Sequence, residues 1–170
     1  MDRANFTEET NSTFTPNLGV IAFGGIAPVP VTKSSVTVPV QGFVTSSGTT
    51  GLFFYSVDVD SYVFTGSNRL KTAGQVILDT GTTLNYVPTP IAKAFNAQFK
   101  PPAKFVEDED TFYVDCNAQA PSLSVTIGGV EFAVDPRDQI LPFLDENNNV
   151  VCISGTQDGG PDEDGNIFIL

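Results

Sequence analysis

Histidine and tryptophan are both missing from the 170 residues, methionine occurs once and cysteine twice. Without histidine, Ser-His-Asp and Cys-His catalysis are excluded, and so are histidine-based zinc sites. Two cysteines, Cys116 and Cys152, are too few to build a structural zinc site alone. Positive charge is scarce: 8 Lys and Arg stand against 20 Asp and Glu, a formal charge of −12. Such a chain repels a phosphate backbone and has no basic stripe, which argues against nucleic acid as a partner. The charge fits an ordinary soluble acidic surface and equally tolerates an acidic compartment, where carboxylates lose charge and self-repulsion falls. No apolar run is long enough to span a membrane, and Met1-Asp2-Arg3 opens on no apolar signal region, so any secretion signal is expected upstream. Neither a repeat nor an interdomain linker is found, and one compact unit is expected.

Glycine, proline, threonine and valine recur in short clusters, while long stretches of alanine, leucine, glutamate and lysine are lacking, so the chain reads as mainly β. A hydrophobic content of 41% suffices for one well-packed domain. Cys116 follows Tyr113-Val114-Asp115 and Cys152 follows Val150-Val151, both strand-like. A disulfide between them is the natural reading, against two buried free thiols, and would stabilise the fold by roughly 3–4 kcal/mol in the chain-entropy picture. Asn5-Phe6-Thr7 and Asn11-Ser12-Thr13 satisfy the N-glycosylation pattern in a polar lead-in over residues 1–17. Disulfide and sequons together point to the secretory pathway, with a secreted or vacuolar destination.

Leu18 to Phe23 reads as a strand closed by Gly24-Gly25, and Pro28 to Pro39 as an edge segment. Tyr55 to Asp60 alternates strictly, with Tyr55, Val57 and Val59 expected on the buried face and Ser56, Asp58 and Asp60 on the wet one. A turn is expected at Gly66-Ser67-Asn68, a strand over Gln75 to Leu78, and extended structure again over Asn85 to Val87. Thr89-Pro90 reads as an N-cap and a first-turn proline, with Ile91, Phe95 and Phe99 as the buried stripe of a helix that Pro101-Pro102 stops. Glu107 to Asp110 is a solvated acidic turn without calcium-loop spacing. Leu123 to Ile127, Gly128-Gly129 and Val130 to Val134 form a hairpin, and Asp145 to Asn149 and Asp158 to Asn166 are turn-rich.

An aspartate set directly after Val76-Ile77-Leu78 sits at the edge of a core, where its charge must be compensated. The residues that follow supply the means. Gly81 lets backbone or ligand come close, and Thr80, Thr82 and Thr83 bring hydroxyls without charge. From the residues alone, Asp79 is either a turn aspartate capping its own loop or a catalytic acid/base.

The run Val76-Ile77-Leu78-Asp79-Thr80-Gly81-Thr82-Thr83, followed by Asn85-Tyr86-Val87-Pro88 and a helix, resembles the C-terminal-lobe active-site loop of pepsin-like aspartic proteases, fungal members above all. Ile21-Ala22-Phe23-Gly24-Gly25, the Tyr55 to Val59 strand, the cysteine pair and the Ser124 to Val134 hairpin extend the resemblance across most of residues 18–170. It implies a pepsin-like lobe of antiparallel sheets with one or two short helices. Asp79 would be one of two catalytic aspartates, Thr80 would grip the other lobe's loop, and Gly81 would offer backbone to a bound peptide. Thr82 would hydrogen-bond the Asp79 carboxylate, Thr83 would bind substrate backbone, and Ile77 would line a pocket on the leaving-group side. The partners implied are a peptide or protein substrate and an N-terminal lobe in the same parent chain; no metal or cofactor is implied.

Asp-Thr-Gly occurs once, so the resemblance implies that residues 1–170 are a single lobe, 18–170 after the lead-in, inactive alone as an endopeptidase. The family would continue past Phe168-Ile169-Leu170 into a glycine and the strands that cross behind the catalytic loop, so the lobe is expected to be incomplete at that end. The alternative is a catalytically inactive pepsin-like module that binds protein through the old cleft. A retroviral-type homodimer and a plain secreted β-domain are the other readings, the former disfavoured by length and by the disulfide loop.

Overall fold

The computed structural model describes residues 23, 25, 35–44, 47–64, 68–70, 74–161 and 168–170. By its contacts the chain divides into Met1–Lys33 and Ser34–Leu170, and the described strands and helix belong to the second unit. The strand expected over Leu18 to Phe23, the sequons at Asn5 and Asn11, most of the Gly66-Ser67-Asn68 turn and most of the Asp158 to Asn166 loop lie outside the described residues.

In chain order the strands are β1 (Phe43–Val44), β2 (Thr50–Gly51), β3 (Ser56–Val59), β4 (Ser61–Phe64), β5 (Asn68–Leu70), β6 (Gly74–Ile77) and β7 (Asn85–Val87). Helix α1 (Thr89–Asn96) follows, then β8 (Lys104–Val106), β9 (Thr111–Val114), β10 (Leu123–Ile127), β11 (Val130–Val134), β12 (Ile140–Leu144), β13 (Val150–Ser154), β14 (Thr156–Asp158) and β15 (Phe168–Ile169). Among the described residues they form a two-stranded ribbon, two four-stranded antiparallel sheets ordered β11-β10-β4-β5 and β12-β13-β9-β8, and a mixed sheet ordered β14-β7-β15-β6-β3. The chain is mainly β, as its composition requires.

Local chemistry explains the elements that were legible. The hairpin spans the residues expected, its turn made by Gly128 and Gly129 at φ +55° and +78°, a left-handed pair that closes two-residue hairpins without splaying the strands. Cys116 and Cys152 are joined by a disulfide with Cα atoms 5.2 Å apart, tying the chain just beyond β9 to the middle of β13. Asp145 accepts from the backbone N–H groups of Asn147 and Asn149 and closes the β12–β13 turn. Glu107–Glu109 form an exposed 3-10 turn, and no cluster of three or more candidate metal ligands occurs among the described residues. No described helix is long and apolar enough to cross a membrane.

Three expectations are corrected. Tyr55 is 77% exposed and Ser56 is fully buried, the reverse of the alternation, because the strand begins at Ser56, which pairs with Ile77, and Tyr55 stands outside it. Thr89 does not cap α1: it is the first helical residue, and its hydroxyl donates instead to Asp158 Oδ1 at 2.6 Å, a carboxylate that β14 brings alongside. The described part of the expected edge segment, residues 35–39, forms no strand, although Val36 and Val38 pack against the core.

That core is built around α1. Ile91 and Phe95 are buried in α1; Phe99, expected in the same helix, is buried three residues beyond its end at Asn96, and Phe95 stacks obliquely on Phe64 and edge-on to Phe99, with ring centroids 5.8 and 5.6 Å apart. Phe95→Ala in the full-length protein removes both ring contacts and leaves a void that neighbours cannot fill; a loss of about 3–5 kcal/mol is expected by urea denaturation. A loss below about 1 kcal/mol would show that α1 does not anchor the core.

Candidate active site

The mixed sheet delivers Asp79. β6 pairs with β3 on one side and with β15 on the other, and its register continues past its end, where Leu78 N–H donates to Tyr55 O at 2.9 Å. The next amide, of Asp79, donates to Leu170 O at 3.0 Å, while Leu170 N–H donates to Ile77 O at 2.9 Å. The aspartate backbone is thus ladder rather than loop, which fixes the direction of its Cβ. Phe168–Ile169 run between β6 and β7. The sequence signal was the apolar run Ile167-Phe168-Ile169-Leu170 after an acidic, glycine-rich stretch, which sequence reasoning did not take as a strand.

The carboxylate is held by its own loop. Gly81 N–H donates to Asp79 Oδ1 at 2.8 Å and Thr82 Oγ1 donates to Oδ2 at 2.5 Å. Both bonds favour the charged form, so the Asp79 pKa lies below the usual 3.8, the Thr82 hydroxyl contributing most and the Gly81 amide next, against a smaller opposing effect of desolvation. A Cβ at position 81 would lie 3.2 Å from Asp79 Oδ1, so a side chain there crowds the acceptor. Asp79 is half-buried and opens on a cavity of about 590 Å³.

Of the residues singled out from sequence, Asp79, Gly81 and Thr82 are joined by hydrogen bonds, and Ile77 and Thr80 line the cavity beside Asp79. Thr83 is exposed on the loop and is not part of the cavity wall. Sequence reasoning missed the rest of that wall, Phe53, Phe54, Tyr55, Leu78 and Ile169. Leu52-Phe53-Phe54-Tyr55 was the available signal: four large apolar residues in a row exceed what a half-buried strand needs, and all four are exposed.

At this edge one carboxylate is kept ionised next to an apolar wall, with hydroxyl and amide donors around it. Such a group can draw a proton from water, provided a second group handles the other proton of the reaction.

The family described as Eukaryotic aspartyl protease matches residues 3–170. The chain is 39% identical over 155 residues to a probable aspartic-type endopeptidase of Aspergillus fumigatus, covering 89% of this chain and 35% of that protein. It is 32% identical over 142 residues to aspartic protease pepA of Leptosphaeria maculans, covering 82% and 33%. To gastricsin of Macaca fuscata fuscata it is 30% identical over 148 residues, covering 82% and 33%. The chain spans about a third of the length of the curated relatives it matches. With the β-sheet lobe and the Asp-Thr-Gly-Thr loop of this geometry, the match over residues 3–170 settles the family: the chain belongs to the eukaryotic aspartyl proteases.

Proposed function

We propose that residues 1–170 form the C-terminal lobe of a two-lobed acid endopeptidase and that Asp79 is one of its two catalytic aspartates. The observation that carries this reading is the Asp79 carboxylate gripped by Gly81 N–H and Thr82 Oγ1 at the mouth of the apolar cavity. A turn aspartate needs neither the cavity nor a backbone amide locked into the sheet.

The chemistry requires a second carboxylate from an N-terminal lobe in the same parent chain, close enough that the pair shares one proton. The ionised member takes a proton from a water held between the two. The water oxygen attacks the scissile carbonyl carbon, and the protonated member gives its proton to the carbonyl oxygen as the tetrahedral intermediate forms. Asp79, held ionised by its two donors, is suited to the charged role. Thr80 reaches toward the partner lobe's loop, Gly81 and Thr83 offer hydrogen bonds to peptide backbone, and Ile77 contributes to a side-chain pocket on the leaving-group side. One carboxylate cannot serve as base and acid together, so the isolated chain is inactive in this reading. The disulfide fits an oxidising compartment, secreted or vacuolar, and Asn5 and Asn11 would carry glycans there.

Asp79→Asn in the full-length protein is expected to lower turnover of a peptide substrate at least a hundredfold with the circular dichroism unchanged, since asparagine keeps the shape and cannot ionise. A folded variant with more than about a hundredth of wild-type activity would contradict the assignment. Thr82→Val removes the larger of the two contributions that hold the Asp79 pKa down, so that pKa rises toward 3.8. Because the carboxylate must be charged to act as base, its activity is then lost at a higher pH as the solution is acidified. The acid limb of kcat/KM against pH should move upward in Thr82→Val; an unmoved limb would remove Thr82 from the site.

A further inference from the structure

We infer that Thr156, which is not part of the cavity wall, is a positioning residue for the Asp79 loop; the inference rests on the reading of Asp79 as a catalytic aspartate. β6 ends at Ile77, its hydrogen bonds continuing to the Asp79 amide, and the chain re-enters the sheet at Asn85. Its entry is well secured, since β6 is paired along both edges. Its exit is not. β15 makes a single residue pair with β7, Ile169 with Tyr86, so lateral restraint of β7 comes mainly from the parallel strand β14, in which Thr156 faces Asn85.

Thr156 is where that restraint is anchored to the rest of the molecule. Its side chain is fully buried; its hydroxyl donates to Gln139 Oε1 at 2.8 Å and accepts from Asn85 Nδ2 at 3.4 Å. Its carbonyl accepts from Asn96 Nδ2 in α1 at 2.9 Å and from Ser154 Oγ at 3.1 Å. Just before it, Gly155 O accepts from Asn85 N–H at 2.9 Å and Gly155 N–H donates to Gln139 O at 3.1 Å. No other residue fits at 155, where a Cβ would lie 2.0 Å from Asp138 O. One hydroxyl thereby joins β7 and the 3-10 turn over Pro136–Gln139, and its carbonyl adds the end of α1.

Gln139 Nε2 and Asn96 Oδ1 are buried without a partner. Apolar side chains would avoid the cost of those unpaired atoms; what the amides supply instead is direction, because each hydrogen bond fixes an angle as well as a distance. The direction is passed to Asn85, three residues after Thr82, whose hydroxyl must meet the Asp79 carboxylate. A shift of β7 loosens that bond and leaves the cavity wall in place, so the effect falls on the chemical step rather than on substrate binding.

Thr156→Val in the full-length protein deletes the hydroxyl at nearly constant volume. The expected result is a fall in kcat of about ten- to a hundredfold with KM little changed, largely restored in Thr156→Ser. A folded Thr156→Val with wild-type kcat overturns the inference, and so does an equal loss in Thr156→Ser, which would assign the effect to methyl packing. Should Thr156→Val fail to fold, Gln139→Leu removes the far acceptor and is expected to lower kcat in the same way; unchanged kcat there overturns it equally. Asp79→Asn measured in parallel separates the two levels. If that variant is active, the reading of Asp79 falls and the role of Thr156 with it; if it is inert while Thr156→Val is fully active, only the role of Thr156 falls.

Discussion

Because Phe168 and Ile169 run between β6 and β7, parallel to one and antiparallel to the other, the two strands that bracket the Asp79 loop are held apart by a third. With neighbouring strands about 4.8 Å apart, the loop from Leu78 to Leu84 must bridge a gap of roughly 10 Å. It therefore lies open across the sheet edge instead of closing as a tight hairpin. The inserted strand also ends on Leu170, whose carbonyl takes the Asp79 amide. The gap gives room for a carboxylate beside a cavity, and the last bond of the ladder decides where that carboxylate points. Remove the inserted strand and neither the loop's width nor the aspartate's direction is defined.

Within this frame the charge on Asp79 is balanced from opposite sides. Ile77, Leu78, Phe53 and Phe54 form an apolar wall that disfavours a charged group, while Gly81 N–H and Thr82 Oγ1 favour it more strongly, and the net shift is downward. In the proposed pair two carboxylates would share a proton and titrate as a unit, so this local balance sets one half of a coupled titration.

What was legible in the sequence is what depends on short spacing. The hairpin at Leu123 to Val134, the Ile91, Phe95 and Phe99 stripe and the Asp79-Thr80-Gly81-Thr82 loop are local patterns, and each has the form that its residues require. What escaped depends on contacts distant in sequence. Thr89 looks like a helix cap until Asp158 is brought beside it, and Tyr55 looks like core until the strand is seen to begin one residue later. The apolar run Ile167 to Leu170 is visible locally, but its place in the sheet is not: Phe168–Ile169 fill the slot between β6 and β7. The buried amides of Asn96 and Gln139 carry no sequence signature at all, since polar residues beside a helix end or a turn usually face water.

That Asp79 acts as half of a carboxylate pair on a water-derived oxygen is best tested by a structure of the full-length protein with a peptide mimic whose hydroxyl replaces the attacking water. That hydroxyl is expected within about 2.6–3.2 Å of the Asp79 carboxylate and of a second carboxylate from the other lobe. A bound mimic whose hydroxyl touches neither Asp79 oxygen, or touches Asp79 with no second carboxylate in reach, would refute the pairing.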